Sequence, residues 1–256
     1  MEKTETGRSR PELHLLSTSM TTGELVSFGQ SVMQVSGDPA VPRNGNSALQ
    51  SEVAIPASQC SLAAAVAASS AFPPLFPPFR VDHQALGISE SEMTQAHYLA
   101  DGGVFDNLGI RKLLWLQQEQ NLSFDHVVVS DAQREVEHHY SYEFSLLPSR
   151  ATRCSDLLMN RISWFENDSV RRLCEEAEAT LLECRLPTHI PQGHPRALDD
   201  HTQSNICNIR TDLDPFSEDE INALIHQGYV VAHRTHLQPT EECGDSSETE
   251  KPSVNG

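Results

Sequence analysis

The sequence predicts an α/β fold, and three observations carry that prediction. Ile110, Leu113, Leu114 and Gln117 repeat at helical spacing, so Gly109 to Gln120 reads as an amphipathic helix with Asn107 as its N-cap. The β-branched run Val127-Val128-Val129 follows and ends at Ser130-Asp131, the pattern of a buried parallel strand that opens onto a loop. Ahead of both, an alanine-rich helix over Ser58 to Ser70 (SQCSLAAAVAASS) is stopped by Pro73-Pro74 and Pro77-Pro78. Helix followed by strand is the signature of α/β layering.

The remaining elements follow in chain order. The first ten residues are polar and read as a loose segment. Leu13 to Ser17 and Glu24 to Phe28 form a hairpin around Thr21-Thr22-Gly23. Ser36 to Ser51, rich in Gly, Pro, Asn and Ser, reads as a loop. Arg80 to Asp82 and Tyr98 to Ala100 are short strands on either side of a polar connection, and the turn Asp101-Gly102-Gly103 comes next. Two helical segments are expected between Ser155 and Glu178, then a half-buried strand from Thr180 to Leu186 and a loop from His189 to Asn205. Ser217-Glu218-Asp219-Glu220 is a capping box that opens a helix with Ile221, Leu224, Ile225 and Tyr229 on one face. After Gln238 the acidic, polar tail (238–256) reads as disordered. No internal repeat is visible, and 256 residues suit one domain with tails.

Composition narrows the partners. With 18 Lys plus Arg against 36 Asp plus Glu the net charge is -18, the wrong sign for nucleic acid. The same charge opposes simple adsorption to an anionic membrane, although a local apolar or basic patch can overcome that average. Six cysteines without a C-x-x-C pair fit reduced thiols in a cytoplasmic setting rather than a disulfide scaffold. No leader stands at the N-terminus, and the most apolar stretch, Leu62 to Ala68, is far short of the roughly 20 residues that span a bilayer.

Taken by itself, Asp101-Gly102-Gly103 fits a strand-ending turn, since Asp-Gly is a common turn signal. Its setting, after a short apolar strand and before a capped helix, also suits a carboxylate acting as general base at a sheet edge. Ser69 and Ser70 beside the proline turn read as structural. Asp131 reads as a helix cap in preference to a cleft-facing acid, and Asp106 and Asn107 read as caps of the helix after them. His138-His139 and the pair His189 and His194 lack partners at metal-ligand spacing, so no metal and no cofactor is predicted.

Two blocks, Ala68-Ser69-Ser70-Ala71-Phe72-Pro73-Pro74-Leu75-Phe76 and Leu99-Ala100-Asp101-Gly102-Gly103-Val104-Phe105-Asp106-Asn107-Leu108-Gly109-Ile110, resemble the latter part of patatin-like phospholipases. Pro11 to Phe28 is similar to that family's strand-turn-strand, and Ile209 to Val231 to a C-terminal block of its bacterial members. The resemblance spans roughly residues 11 to 237. It implies a three-layer α/β/α sandwich, truncated at the N-terminus, and a Ser-Asp dyad that hydrolyses acyl esters of lipids. Asp101 matches the family's catalytic aspartate, with Gly102 and Gly103 completing the turn. The aspartate would accept the serine hydroxyl proton as the hydroxyl attacks an acyl carbonyl.

The departure from the family is equally specific. No G-x-S-x-G occurs, because Gly7-Arg8-Ser9-Arg10-Pro11 and Gly45-Asn46-Ser47-Ala48-Leu49 both fail at the final glycine. No Gly-rich oxyanion stretch is present either. The expectation is therefore the C-terminal half of a lipid acyl hydrolase, inactive alone. Its implied partners are an acyl-ester lipid, a membrane surface met peripherally and the missing N-terminal half. The alternative is a non-catalytic patatin-like module that binds lipid or protein.

Overall fold

The computed structural model describes residues 11–29, 32–36, 53–57, 60–133, 142–209 and 214–237. The segments expected to be loose or disordered, 1–10 and 238–256, lie outside these residues, as do His138-His139 and most of the 36–51 loop. The fold is mixed α/β, and the chain divides into two compact units: 1–123 with 135–175, and 124–134 with 176–256.

The first unit is built on a six-stranded antiparallel sheet. Its strands are β1 (Leu15–Ser19), β2 (Leu25–Gly29), β3 (Val32–Ser36), β4 (Val53–Pro56), β5 (Phe79–Val81) and β6 (His97–Asp101), in the order β4-β3-β2-β1-β6-β5. The β1–β2 hairpin lies two residues later than its first strand was expected. The turn sets this position: the Gly23 N–H donates to the Ser19 carbonyl at 2.7 Å, and Gly23 takes a φ of 77° that favours glycine. The strand β3 was not anticipated at all.

Alternation along the strands places Val26, Phe28, Met33, Val35, Ile55 and Leu99 on one face of the sheet, in a core closed by Ala65 and Ala68 of α1 (Leu62–Ser69). The short α2 (His83–Leu86) contributes Leu86 to the same core. Gln34 points to the other face, where its Oε1 accepts from Lys112 Nζ at 3.0 Å on α3 (Ile110–Gln120). Helices thus attach to both faces of this sheet.

The strand expected at Val127–Val129 is β7 (His126–Asp131), in the second unit, and it pairs parallel with β8 (Thr180–Arg185). It is only half-buried: Val127 and Val129 are covered, but Val128 is 64 % exposed. The two helical segments expected between Ser155 and Glu178 are one helix, α4 (Leu147–Ala177), most of which belongs to the first unit. Their apparent break arises because the buried side of α4 carries Ser163 and Glu166, which interrupt the apolar periodicity. The stretch His189 to Asn205, expected as loop, contains the start of α5 (Asp200–Cys207), whose N-cap Asp199 accepts from the Thr202 N–H at 2.9 Å. The capping box ahead of α6 (Glu218–Leu237) forms as expected. Ser217 N–H donates to Glu220 at 2.6 Å and Glu220 N–H to Ser217 Oγ at 3.3 Å. Among the described residues no helix is long and apolar enough to cross a membrane.

Candidate active site

Asp101 is the last residue of β6, directly opposite Ser17 of β1. Backbone contacts fix it from three directions. Its N–H donates to the Ala71 carbonyl at 3.0 Å, which ties it to the segment between α1 and the proline turn. Its carbonyl accepts from Thr18 Oγ1 at 2.9 Å. Its Oδ1 accepts from the Gly103 N–H at 2.8 Å, capping a short 3-10 turn over Gly102–Val104. Among the described residues its Oδ2 accepts no hydrogen bond. Burial pushes the Asp101 carboxyl above its ordinary value, and the Gly103 N–H opposes that shift.

The two glycines are required by close approach. A Cβ built on Gly102 would fall 2.5 Å from the Leu16 carbonyl oxygen, which is backbone and cannot yield. A Cβ on Gly103 would meet Asn107 Oδ1 at 2.5 Å and Met159 Cε at 2.8 Å. Ser17 is fully buried on the same sheet face as Asp101, and its hydroxyl has no hydrogen-bond partner among the described residues.

The loop that follows the turn is held by residues that sequence reasoning missed. Glu166 of α4, fully buried, accepts the N–H groups of Asn107 at 3.1 Å and Leu108 at 3.0 Å. The Asp106 carboxyl lies against it in hydrogen-bond contact. Burial, then the Asp106 charge, then this hydrogen bond push the Glu166 carboxyl up to about 8, against the pull of the Leu108 and Asn107 N–H groups. No signal in the sequence marks it, since its partners lie nearly sixty positions away.

Asp106 behaves as a cap: its two oxygens accept the Arg111 and Lys112 N–H groups, each at 3.1 Å. Asn107 does not. The N-cap position of α3 is Gly109, in the left-handed region, and the Asn107 amide instead donates to Ser163 Oγ at 2.8 Å. The reach across to α4 outcompetes local capping because it satisfies a partly buried amide and a buried hydroxyl together.

The other candidates fall elsewhere. Ser70 Oγ donates back to the Val66 carbonyl at 2.8 Å, and Ser69 is the last residue of α1. Asp131 belongs to the second unit, where it accepts the Gln133 N–H at 2.9 Å and pairs with Arg185 Nε at 3.4 Å. It caps a turn, and the residues after 133 that would form a helix lie outside those described. His189 pairs with Asp200 at 3.2 Å on the surface, while His194 accepts from the Arg196 N–H. Among the described residues no three His, Cys, Asp or Glu side chains are grouped as a metal site.

Residues 6–114 match the patatin-like phospholipase family. This segment holds β1 to β6, the Asp101-Gly102-Gly103 turn and the start of α3, and it ends at Leu114. The resemblance extended above to residue 237 goes beyond this match. No curated protein and no solved structure matches the chain. The patatin-like segment thus contains Asp101, while Glu166 and Ser163, which brace its loop, come from outside it.

Proposed function

We propose that Asp101 is the general base of a serine-type lipid acyl hydrolase, and that this chain is the base-bearing, C-terminal portion of a patatin-like α/β/α domain. The serine elbow and oxyanion loop would come from a segment outside these 256 residues. One observation carries the reading: Asp101 ends β6 with its backbone locked and Oδ1 anchored, leaving Oδ2 to accept a proton. In the reaction the serine hydroxyl proton passes to Asp101 as the serine oxygen bonds to the acyl carbonyl carbon. The ester C–O bond then breaks, the leaving alcohol takes the proton, and water releases the acyl group by the same route. Partial burial raises the basicity of the carboxylate, which favours this role. The exposed Val128 and the two-strand extent of the parallel sheet among the described residues support a fuller sheet in the complete enzyme.

The test is turnover of acyl esters by the protein extended with its upstream coding sequence, in wild-type and Asp101→Asn forms. The substitution should lower turnover roughly 10²–10⁴-fold with the fold intact. The 256-residue chain alone should show no turnover. Equal activity of the Asp101→Asn protein would remove Asp101 from the mechanism.

A second reading, a non-catalytic patatin-like module, is favoured by the Oδ1 contact to Gly103, which gives Asp101 a structural use as a turn cap. On that reading Asp101→Asn would leave every measurable function unchanged.

A further inference from the structure

From Leu147 to Phe165, α4 shows a stripe of large apolar side chains to solvent. At roughly 100° per residue, Leu147, Arg150, Cys154, Leu157, Leu158, Arg161, Trp164 and Phe165 fall within a sector of about 120°. The apolar members are solvent-exposed, Leu147 at 72 %, Leu158 at 65 % and Trp164 at 57 %. The opposite side carries the buried Ser163 and Glu166 with their hydrogen bonds to the loop after Asp101. The inner side also buries Val170 and Leu173, so the exposed apolar stripe is a second apolar face, and it marks the outer side as an interaction surface.

Its charge selects the partner. Within this sector from Leu147 to Phe165 the only ionic side chains are Arg150 and Arg161, in a chain whose net charge is -18. The next ones along, Asp168 and Arg172, pair with each other at 2.7 Å. The Arg161 guanidinium lies 4.6 Å from the ring centroids of both Trp164 and Phe165, which themselves meet edge-on at 5.1 Å. Cation and aromatic rings packed beside leucines form the composition of a helix lying in a bilayer interface, with rings at the acyl boundary and guanidinium at the headgroups.

We propose that the outer face of α4, centred on Leu157, Leu158, Arg161, Trp164 and Phe165, docks on an anionic lipid surface. The proposal rests on the lipid-hydrolase reading for its substrate class, and it places the same helix between the bilayer and the loop that follows Asp101.

The chain's two tryptophans make the test direct, because Trp115 is 5 % exposed and Trp164 is the exposed one. The full chain is mixed with vesicles of diether phosphatidylcholine, alone or with diether phosphatidylserine; ether lipids cannot be hydrolysed, so binding is read independently of turnover. Anionic vesicles should shift Trp164 emission to the blue, and brominated alkyl chains on the same diether lipids should quench it. In flotation, the pair Leu158→Ser with Trp164→Ser should weaken binding about tenfold or more while thermal unfolding stays unchanged. The pair Arg150→Glu with Arg161→Glu should abolish the preference for phosphatidylserine. Absence of a blue shift, or flotation unaffected by Leu158→Ser with Trp164→Ser, would overturn the proposal. So would a dimer in sedimentation that these serine substitutions dissociate, since the face would then belong to a second copy. Binding as proposed without hydrolysis by the extended protein would leave the surface standing and sink the catalytic reading.

Discussion

Glu166 on α4 accepts the Leu108 N–H at 3.0 Å, so a helix outside the patatin-like segment holds the loop that leads from Asp101 into α3. Replacing Glu166 by Ala would strand the N–H groups of Leu108 and Asn107. The expected loss is about 2–4 kcal/mol, measured by urea unfolding. Glu166→Gln keeps one acceptor oxygen for two amides that now bond to different oxygens of Glu166, so it should retain only part of that stability. Equal losses for Ala and Gln would show that packing, rather than hydrogen bonding, matters at this position.

The same residue sets a pH dependence with a definite sign. Its folded value, about 8, lies above the ordinary 4.5, so between these values the folded state holds a proton that the unfolded chain has released. Its contribution to stability is therefore fully present below about 4.5 and declines as pH rises toward 8. Unfolding free energies across pH 5 to 9 should fall more steeply for wild type than for Glu166→Gln. Parallel curves would mean that the folded state does not hold Glu166 protonated.

Gly102 and Gly103 should respond unequally to Ala. At Gly102 the added methyl meets the backbone of Leu16, so β1 and β6 must part, at a cost of about 3 kcal/mol or more. At Gly103 it meets the ends of the Asn107 and Met159 side chains, which can rotate, at about 1–3 kcal/mol. Melting temperatures of the two variants decide the order, and a less stable Gly103→Ala would contradict this packing.

Asp131→Asn should be mild. Asn can still accept the Gln133 N–H, and the lost ion pair involves a half-exposed Arg185, so the change should be about 1 kcal/mol or less. A collapse of folding or of acyl-ester turnover in the extended protein would return Asp131 to the list of functional acids.

Local signals made much of the fold legible. The proline pairs, the Val127–Val129 run and the Ser217 box each concentrate their information in a few adjacent residues, and the corresponding elements formed. The misses share a cause. The alternation of Met33 and Val35 in β3 was available but sat between Gly29 and the Gly-Pro-rich stretch, which read as loop. Only Gln203 and Ile206 of α5 are buried, too few to produce a periodic pattern. At the site, the D-G-G turn was visible because it is contiguous. The Glu166 brace was not, because its partners lie nearly sixty positions away and its own helix shows leucines and a tryptophan to solvent.

The pairing of Ser17 with Asp101 gives the carboxylate an address that does not depend on loop length. A register slip of one residue would swing it to the other side of the sheet, whereas residues added or removed in the stretch between β3 and β4 would leave it in place. The closure cost of such insertions grows only with the logarithm of their length. Duplications, deletions or grafted segments in that interval are thus open to natural variation and to engineering without relocating the base.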